Sequence, residues 1–263
     1  MLMDRETILT LNRINLKFYQ DHASEFSAAR SQPWPGWNRL EPLLRQAWPP
    51  QRRLSVLDVG CGNARFAQFL HDRLELPFSY LGIDASSALL EHAQDRLRRL
   101  QELRPTLLSD CQVRRFDLVS GDAEEALPAG AFDLLVVFGL MHHVPGRETR
   151  AKLLTTLARG LGRAGTFIVT FWQFGAHERF QKKFRSWKSF NQASRRPLDL
   201  AQLEAGDQLV SWGEDPAAQR YCHFVSPEEA QLLLSNLKLR CLDAFSADGN
   251  TGDLNQYYLL RRC

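Results

Sequence analysis

Cysteine is scarce in this sequence and forms no recognisable pattern. The 263 residues include five cysteines, at positions 61, 111, 222, 241 and 263, with no C-x-x-C pair. An odd number of scattered cysteines argues against a disulfide framework, and the missing pairs argue against a structural zinc site. This usage is typical of a reducing compartment, so we predict a cytoplasmic protein.

Long apolar runs and a strong charge of one sign are also missing. No stretch approaches the roughly eighteen apolar residues of a membrane span, and the first residues, MLMDRETILTLNRINLKF, lack the apolar core of a signal peptide. We therefore expect a soluble protein with no membrane partner. The net charge of +3 is compatible with an RNA partner without requiring one, and 44% hydrophobic residues suit one large globular domain.

The most informative stretch is LSVLDVGCGNARF, residues 54–66. It predicts a buried strand, a glycine turn and a helix. Gly60 and Gly62 allow a tight turn and a close approach to a ligand. Asn63 is predicted to cap the helix, and Ala64 takes the packing position where a third glycine is often found. The pattern is that of a site for a nucleotide-like ligand.

Two ligands compete for this site, a dinucleotide and S-adenosylmethionine. A second strand ends in Asp84, whose carboxylate can accept hydrogen bonds from ribose hydroxyls of either ligand. Asp58 favours S-adenosylmethionine, because a sulfonium is positively charged whereas a pyrophosphate is negative. The form D-x-G-C-G-N at Asp58–Asn63 also resembles motif I of class I methyltransferases.

Apolar strands alternate with amphipathic helices from residue 52 to 172, which predicts a parallel sheet with helical crossovers. The strands are predicted near 54–59, 79–83, 113–119, 132–138 and 165–172, and the helices near 64–75, 87–103 and 148–161. Further strands near 239–246 and 255–262 predict an antiparallel hairpin that completes a seven-stranded, Rossmann-like α/β sheet. We divide this single domain into a helical cap (1–50), a cofactor-binding core (51–172), a basic insertion (173–225) and a C-terminal helix and hairpin (226–263).

The predicted cofactor residues follow from this arrangement, since ligands bind at the carboxyl ends of parallel strands. Asp122, after the third strand, can accept the adenine amino group. A helix is also predicted over 5–30. Tyr19 lies there on a helical stripe with Ala23 and Phe26, and either covers the cofactor or packs in the core. The full set is Tyr19, Asp58, Gly60, Cys61, Gly62, Asn63, Asp84, Ala85, Asp122, Ala123 and Phe138.

A pair of histidines, His142 and His143, follows the fourth strand. Adjacent residues point apart, and no cysteine or carboxylate lies nearby at ligand spacing in the sequence, so we predict no metal. One histidine is expected at the substrate mouth and the other in a packing or capping role; the sequence does not distinguish them, and a purely structural pair is the alternative.

Residues 178–196 are rich in basic side chains interleaved with aromatic ones, and a helix is predicted over 177–191. The basic residues are Arg179, Lys182, Lys183, Arg185, Lys188, Arg195 and Arg196, against one acid, Glu178. They indicate either a phosphate-binding surface or a solvated helix face. The aromatic residues at helical spacing are more typical of packing than of base stacking.

Several segments together resemble the tRNA wobble-uridine carboxyl methyltransferases. Besides motif I and the histidine pair, they are Tyr19-x-x-x-Ala23-x-x-Phe26-x-x-x-Arg30-x-x-Pro33-Trp34-Pro35 and Arg220-Tyr-Cys-His223. The resemblance implies methyl transfer from S-adenosylmethionine to the carboxylate of 5-carboxymethyluridine in tRNA, with a small zinc-binding activator subunit as a partner. Ala64 and the segment 253–258, which lacks the family's tryptophan, depart from the family pattern.

The resemblance makes Arg30 a candidate for binding the substrate carboxylate. His142 and His143 complete the predicted catalytic set. Arg30 lies just before a proline-stiffened segment, so its guanidinium can be aimed. Two alternatives remain: a small-molecule O- or N-methyltransferase that uses a histidine as base, and a catalytically silent cofactor-binding subunit. The intact cofactor motif argues against the silent subunit.

Overall fold

The computed structural model describes residues 2–48, 52–121, 127, 131–194, 196–213, 215 and 218–262. Two sheets organise these residues. The strands are β1 (Leu54–Val59), β2 (Phe78–Asp84), β3 (Leu108–Arg115), β4 (Phe132–Val137), β5 (Leu161–Trp172), β6 (Phe184–Arg185), β7 (Asp207–Ser211), β8 (Gln219–His223), β9 (Leu239–Ala247) and β10 (Asn255–Arg262). The α-helices are α1 (Arg5–Asp21), α2 (Ala23–Ala28), α3 (Trp37–Ala47), α4 (Arg65–Phe69), α5 (Ser87–Leu103), α6 (Arg147–Arg159), α7 (Glu178–Gln181), α8 (Trp187–Ala193) and α9 (Pro227–Ser235).

The larger sheet has seven strands in the order β3-β2-β1-β4-β5-β10-β9. The first five run parallel, and β10 is antiparallel to both β5 and β9. This confirms the predicted Rossmann-like α/β fold with an antiparallel C-terminal hairpin. The order reverses beside β1, where β4 lies on its other side from β2, and such a switch point opens a crevice at the carboxyl ends of the strands.

Both faces of the sheet carry apolar clusters. One contains Leu54, Val56 and Ile168 beneath α3, α4 and α5, and the other contains Leu57 and Leu135 beneath α6 and α9. β1 and β4 are buried almost throughout, which explains their near-continuous apolar sequences. This two-sided burial fixes the ends of the strands and therefore the residues of the crevice.

The third strand was predicted at 113–119, which is wrong at both ends: β3 spans Leu108–Arg115. As an edge strand it is mostly exposed and polar, so its sequence carries a weak signal. The apolar residues that suggested a later strand, Phe116, Leu118 and Val119, belong to a turn that lines the crevice instead.

Two predicted helices are divided in the structure. The helix expected over 5–30 breaks at His22, whose φ of −121° and ψ of 20° separate α1 from α2. The helix expected over 177–191 is wrong as a continuous element. It consists of α7 and α8 with β6 between them, and β6 joins β7 and β8 in a three-stranded antiparallel sheet. The basic insertion predicted at 173–225 thus contributes the strands of a second sheet.

No helix among the described residues is long and apolar enough to cross a membrane.

Candidate active site

A cavity of about 490 Å³ opens at the carboxyl ends of β1, β2 and β4. The cap helices, the Trp34–Trp37 segment and the small sheet form its other walls. The structure brings together at this cavity the predicted residues Tyr19, Arg30, Asp58, Gly60, Cys61, Gly62, Asn63, Asp84, Ala85, Phe138, His142 and His143. Asp122 and Ala123 lie outside the described residues, so their predicted roles stay predictions.

The turn after β1 depends on left-handed backbone conformations. Gly60 has φ of 75°, and a Cβ there would lie 3.1 Å from Cβ of Leu140. Ala64 has φ of 55° and ψ of 36° while fully buried, a conformation that costs an L-residue about 1–2 kcal/mol. Ala64 is therefore more than a small packing residue. The turn is strained at this position.

Asn63 was predicted to cap the following helix, and this is wrong. No side chain caps the first turn of α4. The Asn63 amide instead donates a hydrogen bond of 2.9 Å to Oγ of Ser27 in α2. Asn63 thus attaches the helical cap to the glycine turn, a long-range role that its position in the sequence does not reveal.

Asp84 lies at the end of β2 and faces the glycine turn. Its Oδ2 accepts the Gly62 backbone N–H at 2.9 Å, and its Oδ1 accepts that of Ser86 at 2.9 Å. Burial raises the pKa of Asp84, while these backbone hydrogen bonds lower it. Each carboxylate oxygen keeps a lone pair for one further donor, which suits the two neighbouring hydroxyls of a ribose.

Asp58, at the end of β1, is only 2% exposed. It accepts a hydrogen bond of 2.6 Å from the Tyr80 hydroxyl. The pKa of Asp58 is raised to about 7, because burial and the charge of nearby Asp84 outweigh the lowering effect of the Tyr80 hydrogen bond. A buried carboxylate of this kind favours a cationic ligand, because a positive charge stabilises its ionised form.

These residues fit S-adenosylmethionine. Asp84 offers acceptors for the ribose, Asp58 offers a negative charge for the amino-acid end, and the glycine turn admits a ligand beside the backbone. The indole Nε1 of Trp37 is buried against the same cavity with no hydrogen-bond partner among the described residues. Such an unpaired donor is typical of a site that a polar ligand completes.

His143 is held at both ring nitrogens. Its Nδ1 lies 2.9 Å from the carbonyl oxygen of Tyr221, and its Nε2 lies 2.7 Å from the hydroxyl of Tyr19. A carbonyl only accepts, so Nδ1 carries the hydrogen and Nε2 accepts from Tyr19. Burial, together with nearby Arg220, lowers the pKa of His143 to about 3. His143 is therefore a neutral, fully paired imidazole.

His142 differs, because its Nδ1 is buried with no hydrogen-bond partner among the described residues. Its ring packs edge-on against Trp172 at 4.9 Å between centroids and lies 4.0 Å from the His143 ring. Burial, His143 and two arginines lower its pKa well below the usual value. His142 is thus the histidine of the pair with hydrogen-bonding capacity left for a ligand.

The sequence shows no cysteine at ligand spacing, but the fold brings Cys222 to the histidine pair. The ligand atoms of His142, His143 and Cys222 lie within 4.8 Å of one another. Two observations oppose a cation there. Both nitrogens of His143 are engaged, and the charges of Arg30 and Arg220 lower the pKa values of both histidines.

Arg30 and Arg220 form the positive end of the cavity. The Arg30 guanidinium lies 3.6 Å above the centre of the Phe26 ring, and burial together with Arg220 lowers its pKa to about 10. Arg220 is 6% exposed, lies 5.2 Å from the Trp172 ring centre, and leaves its Nε unpaired. Neither guanidinium pairs with a carboxylate within the described part of the chain.

Sequence reasoning assigned no role to Arg220, although it opens the R-Y-x-H segment. Trp212, on the turn between β7 and β8, was also missed and lies beside Phe18 and Phe26 at the mouth. Arg220 lies on a strand of the small sheet, and Trp212 lies on the turn that connects two of its strands. The contact of this sheet with the cavity depends on long-range packing, and only the unusual R-Y-x-H segment pointed to it.

Asp248 fixes the Trp34–Trp37 wall of the cavity. It accepts hydrogen bonds from the Gly36 backbone N–H at 2.7 Å, the Asn255 amide at 2.8 Å and the Tyr257 hydroxyl at 2.6 Å. A Cβ on Gly36 would meet the Tyr257 ring at 2.6 Å. The segment 253–258, which departs from the family pattern, thus contributes two anchors for the segment that follows Arg30.

Comparisons with known proteins agree with this geometry. A family model described as "Methyltransferase domain" matches residues 56–165. The chain is 30% identical over 171 residues to a tRNA (carboxymethyluridine(34)-5-O)-methyltransferase of Xenopus tropicalis, covering 65% of this chain and 22% of that protein. It is 28% identical over 219 residues to the Mus musculus protein of the same name, covering 80% and 28%. It thus spans about a quarter of the length of these relatives.

Among solved structures, an S-adenosylmethionine-dependent methyltransferase from Methanosarcina mazei superposes with a TM-score of 0.60 at 16% identity, covering 84% of this chain and 97% of that one. At this identity the likeness concerns the fold. Together with the matched domain and the cofactor geometry, it shows that the chain carries a class I, S-adenosylmethionine-dependent methyltransferase domain, similar in sequence to the tRNA carboxymethyluridine methyltransferases.

Proposed function

We propose that this protein methylates the carboxylate of 5-carboxymethyluridine at the wobble position of tRNA. The observation that carries the proposal is the pair of arginines, Arg30 and Arg220, which face the cavity without a carboxylate partner among the described residues. Two like charges held together in a half-buried site repel each other, and an anionic ligand relieves that repulsion. A carboxylate is the anion whose planar shape a guanidinium fork matches.

The chemistry at this end of the cavity suits an acceptor that is already ionised. S-adenosylmethionine, when bound, supplies a methyl group on a sulfonium. A carboxylate with a reference pKa near 4 is ionised at neutral pH and needs no base. Arg30 and Arg220 would hold it in line with the methyl group, and positioning of this kind supplies much of the acceleration. His142 would donate or accept one hydrogen bond to orient the uracil or the carboxylate.

The same site argues against a base-dependent O- or N-methyltransferase. Such an enzyme would need His142 or His143 to remove a proton from its substrate. The pKa of His143 is lowered to about 3 and that of His142 falls well below its usual value. Both imidazoles are therefore weak bases, and His143 has no free nitrogen.

The tRNA would be held outside the cavity by the basic residues of 178–196. Arg179, Lys182, Lys188 and Arg196 are exposed, and Lys183 is exposed while also lining the cavity. Arg195 lies outside the described residues. The basic surface therefore adjoins the mouth, where phosphates on either side of an inserted nucleotide would lie. The small zinc-binding activator subunit that the resemblance implies remains a proposed second partner.

A methyl ester gives this proposal a chemical test. Purified protein would be incubated with methyl-labelled S-adenosylmethionine and, separately, with tRNA bearing 5-carboxymethyluridine at the wobble position, the same tRNA bearing uridine, and a pool of small carboxylic acids. Each reaction would be run with and without an activator subunit. We expect label only in the carboxymethyluridine tRNA, released as methanol by mild alkali. Alkali-stable label, or transfer to uridine tRNA, would contradict the proposal.

A further inference from the structure

Strand β8 connects the substrate end of the cavity to a buried group of charges behind it. Arg220 of β8 lines the cavity, and the next residue, Tyr221, accepts the His143 hydrogen bond through its carbonyl oxygen. His223, two residues further, lies on the far side of the strand and is 3% exposed. The position of one strand thus determines both the second arginine and the orientation of His143.

His223 is the centre of this group, which we call the ion cluster: His223, Asp207, Glu229, Glu204 and Arg150. The His223 Nδ1 lies 2.7 Å from Oδ1 of Asp207, and its Nε2 lies 2.9 Å from Oε2 of Glu229. Arg150 is fully buried and donates to Glu204 at 2.6 Å and to Glu229 at 2.7 Å. These residues come from α6, β7, β8, α9 and the segment before β7.

The geometry favours a protonated His223. Both ring nitrogens lie within hydrogen-bond distance of a carboxylate, and a neutral imidazole can donate from one nitrogen only. The ion cluster also contains three carboxylates and a single fixed cation, Arg150, which pairs with Glu204 and Glu229, so a second positive charge improves the balance. Burial lowers the pKa of His223, but the hydrogen bonds to Asp207 and Glu229 outweigh it, and the pKa lies above its usual value.

The ion cluster also reaches the other side of the histidine pair. Arg150 Nη1 donates a hydrogen bond of 3.0 Å to the carbonyl oxygen of Val144, the residue that follows His143. The Tyr221 hydroxyl donates to Oδ1 of Asp207 at 2.7 Å, while its carbonyl holds His143. The same buried charges therefore fix β8 and the 142–144 segment relative to each other.

We propose that the ion cluster, through protonated His223, is the device that positions Arg220 and His143 for methyl transfer. His223 does not line the cavity, so it is a positioning residue that acts through β8. The part of this inference that concerns the acceptor rests on the proposed function, whereas the fixing of His143 does not.

A double-mutant cycle separates positioning from plain stability. In the parent, His223→Gln should lower kcat/KM about 10- to 100-fold, as expected when a holding contact shifts by about an ångström, with cofactor Kd changed less than about twofold. In an Arg220→Ala background the same change should cost several-fold less than in the parent, because one of the two groups that it positions is gone. Equal factors in the two backgrounds would show that His223 does not act through Arg220 and would overturn that part of the proposal.

Two controls complete this experiment. Glu229→Gln removes one charge from the ion cluster with little change of shape and replaces His223→Gln if that variant does not fold. His71→Gln changes another buried histidine, paired with Asp72 in the helical turn after α4, and should leave kcat/KM within about twofold.

A spectroscopic readout does not depend on any acceptor. In protein labelled with ¹⁵N-histidine, the parent should show His143 as the Nδ1–H tautomer, and His223→Gln or Glu229→Gln should shift that signal while leaving His71 unchanged. An unmoved His143 signal in folded variants would overturn the positioning role. If the parent transfers no methyl group to any acceptor, the proposed function fails, and this signal still decides the positioning role.

Discussion

The hydroxyl of Tyr19 lies 2.7 Å from Nε2 of His143 and links the helical cap to the loop after β4. Tyr19 was predicted to cover the cofactor or to pack in the core. It lines the cavity, packs edge-on against Phe26, and donates its hydrogen bond to the histidine. The Tyr221 carbonyl sets the tautomer of His143, and this side chain of α1 pairs the nitrogen that the tautomer leaves as an acceptor. The predicted contact of Tyr19 with the cofactor stays a prediction.

Removing the Tyr19 hydroxyl tests this relationship. Tyr19→Phe would leave a buried acceptor unpaired at Nε2, which costs about 1–3 kcal/mol. We expect a lower melting temperature and a fall in kcat/KM of roughly tenfold with little change in cofactor affinity. Tyr258→Phe, on β10 outside the cavity, is the matched control. Parental kcat/KM in Tyr19→Phe would mean that the Tyr19–His143 hydrogen bond has no part in turnover.

The predicted ribose contact depends on Asp84. Asp84→Ala should weaken S-adenosylmethionine binding by about 1.5–3 kcal/mol, because it removes charge-assisted hydrogen bonds to the ribose hydroxyls. Asp84 also holds Gly62 and Ser86, so Asp84→Asn, which keeps one acceptor, is measured beside it. Calorimetry gives both affinities, with exposed Asp95→Asn as control. Unchanged affinity in a folded Asp84→Ala protein would remove the ribose assignment.

The raised pKa of Asp58 predicts that the stability of the protein and its affinity for the cofactor change in opposite directions with pH. Its pKa is about 7 in the folded protein against 3.8 for the free side chain. Between these values the folded state binds more protons than the unfolded state, so the free energy of unfolding should fall as pH rises from about 4 to 7. A cationic ligand favours ionised Asp58, so cofactor Kd should decrease over the upper part of this window.

Asp58→Asn provides the comparison, because an amide does not titrate. Cofactor Kd measured by calorimetry from pH 5.5 to 8 should lose most of its slope below pH 7 in this variant. The Tyr80 hydrogen bond can persist with an amide oxygen as acceptor, which keeps the site intact. Identical pH profiles for the parent and Asp58→Asn would show that another group is responsible.

Salt dependence tests the proposed tRNA surface. Replacing Lys182, Lys183 and Arg185 with glutamine should make the logarithm of tRNA affinity fall less steeply with the logarithm of salt concentration, by roughly 0.7–0.9 for each phosphate that the variant no longer binds. Cofactor binding should not change. The matched control replaces Arg163, Lys238 and Arg240, which are exposed near the opposite ends of the strands. Equal slopes for the first variant and the parent would show that this segment is a solvated surface that does not bind the phosphates of tRNA.

Local patterns predicted the parts of the fold that local physics determines. β1 and α5 lie where the apolar run at 54–59 and the amphipathic pattern at 87–103 predicted them, because burial on the sheet leaves a direct signature in neighbouring residues. The predictions for the edge strand β3 and the α7–β6–α8 segment were wrong. Their sequences are shaped by partners far along the chain, Gln112 beside Leu81 and Phe184 beside Val210.

In the candidate site, too, the features set by neighbouring residues could be predicted and those set by distant residues could not. Motif residues such as Gly60 and Asp84 could be placed at the cavity from their spacing alone, because the end of a strand fixes them. The engagement of His143 by Tyr19 and Tyr221 joins residues 124 and 78 positions apart, and no periodicity encodes such contacts. A role for Arg220 was not predicted for the same reason, because its position at the cavity depends on how the small sheet packs.

The carboxylate clamp makes the most specific prediction, because Arg30 and Arg220 have distinguishable roles. Arg30 lies over Phe26 of the helical cap, beside the segment that Asp248 anchors. These contacts orient its guanidinium group toward the cavity. Arg30→Lys keeps the charge but loses the planar pair of donors and the stacking on the ring. We expect kcat on carboxymethyluridine tRNA to fall about 10- to 100-fold while cofactor Kd changes less than about twofold. Arg220→Lys should raise KM as well, because its guanidinium is buried deeper and leaves an unpaired Nε for the ligand. Exposed Arg13→Lys on α1 is the control for a conservative change in the cap. Near-parental turnover in both Arg30→Lys and Arg30→Ala would place Arg30 outside the reaction and leave the cavity without its carboxylate clamp.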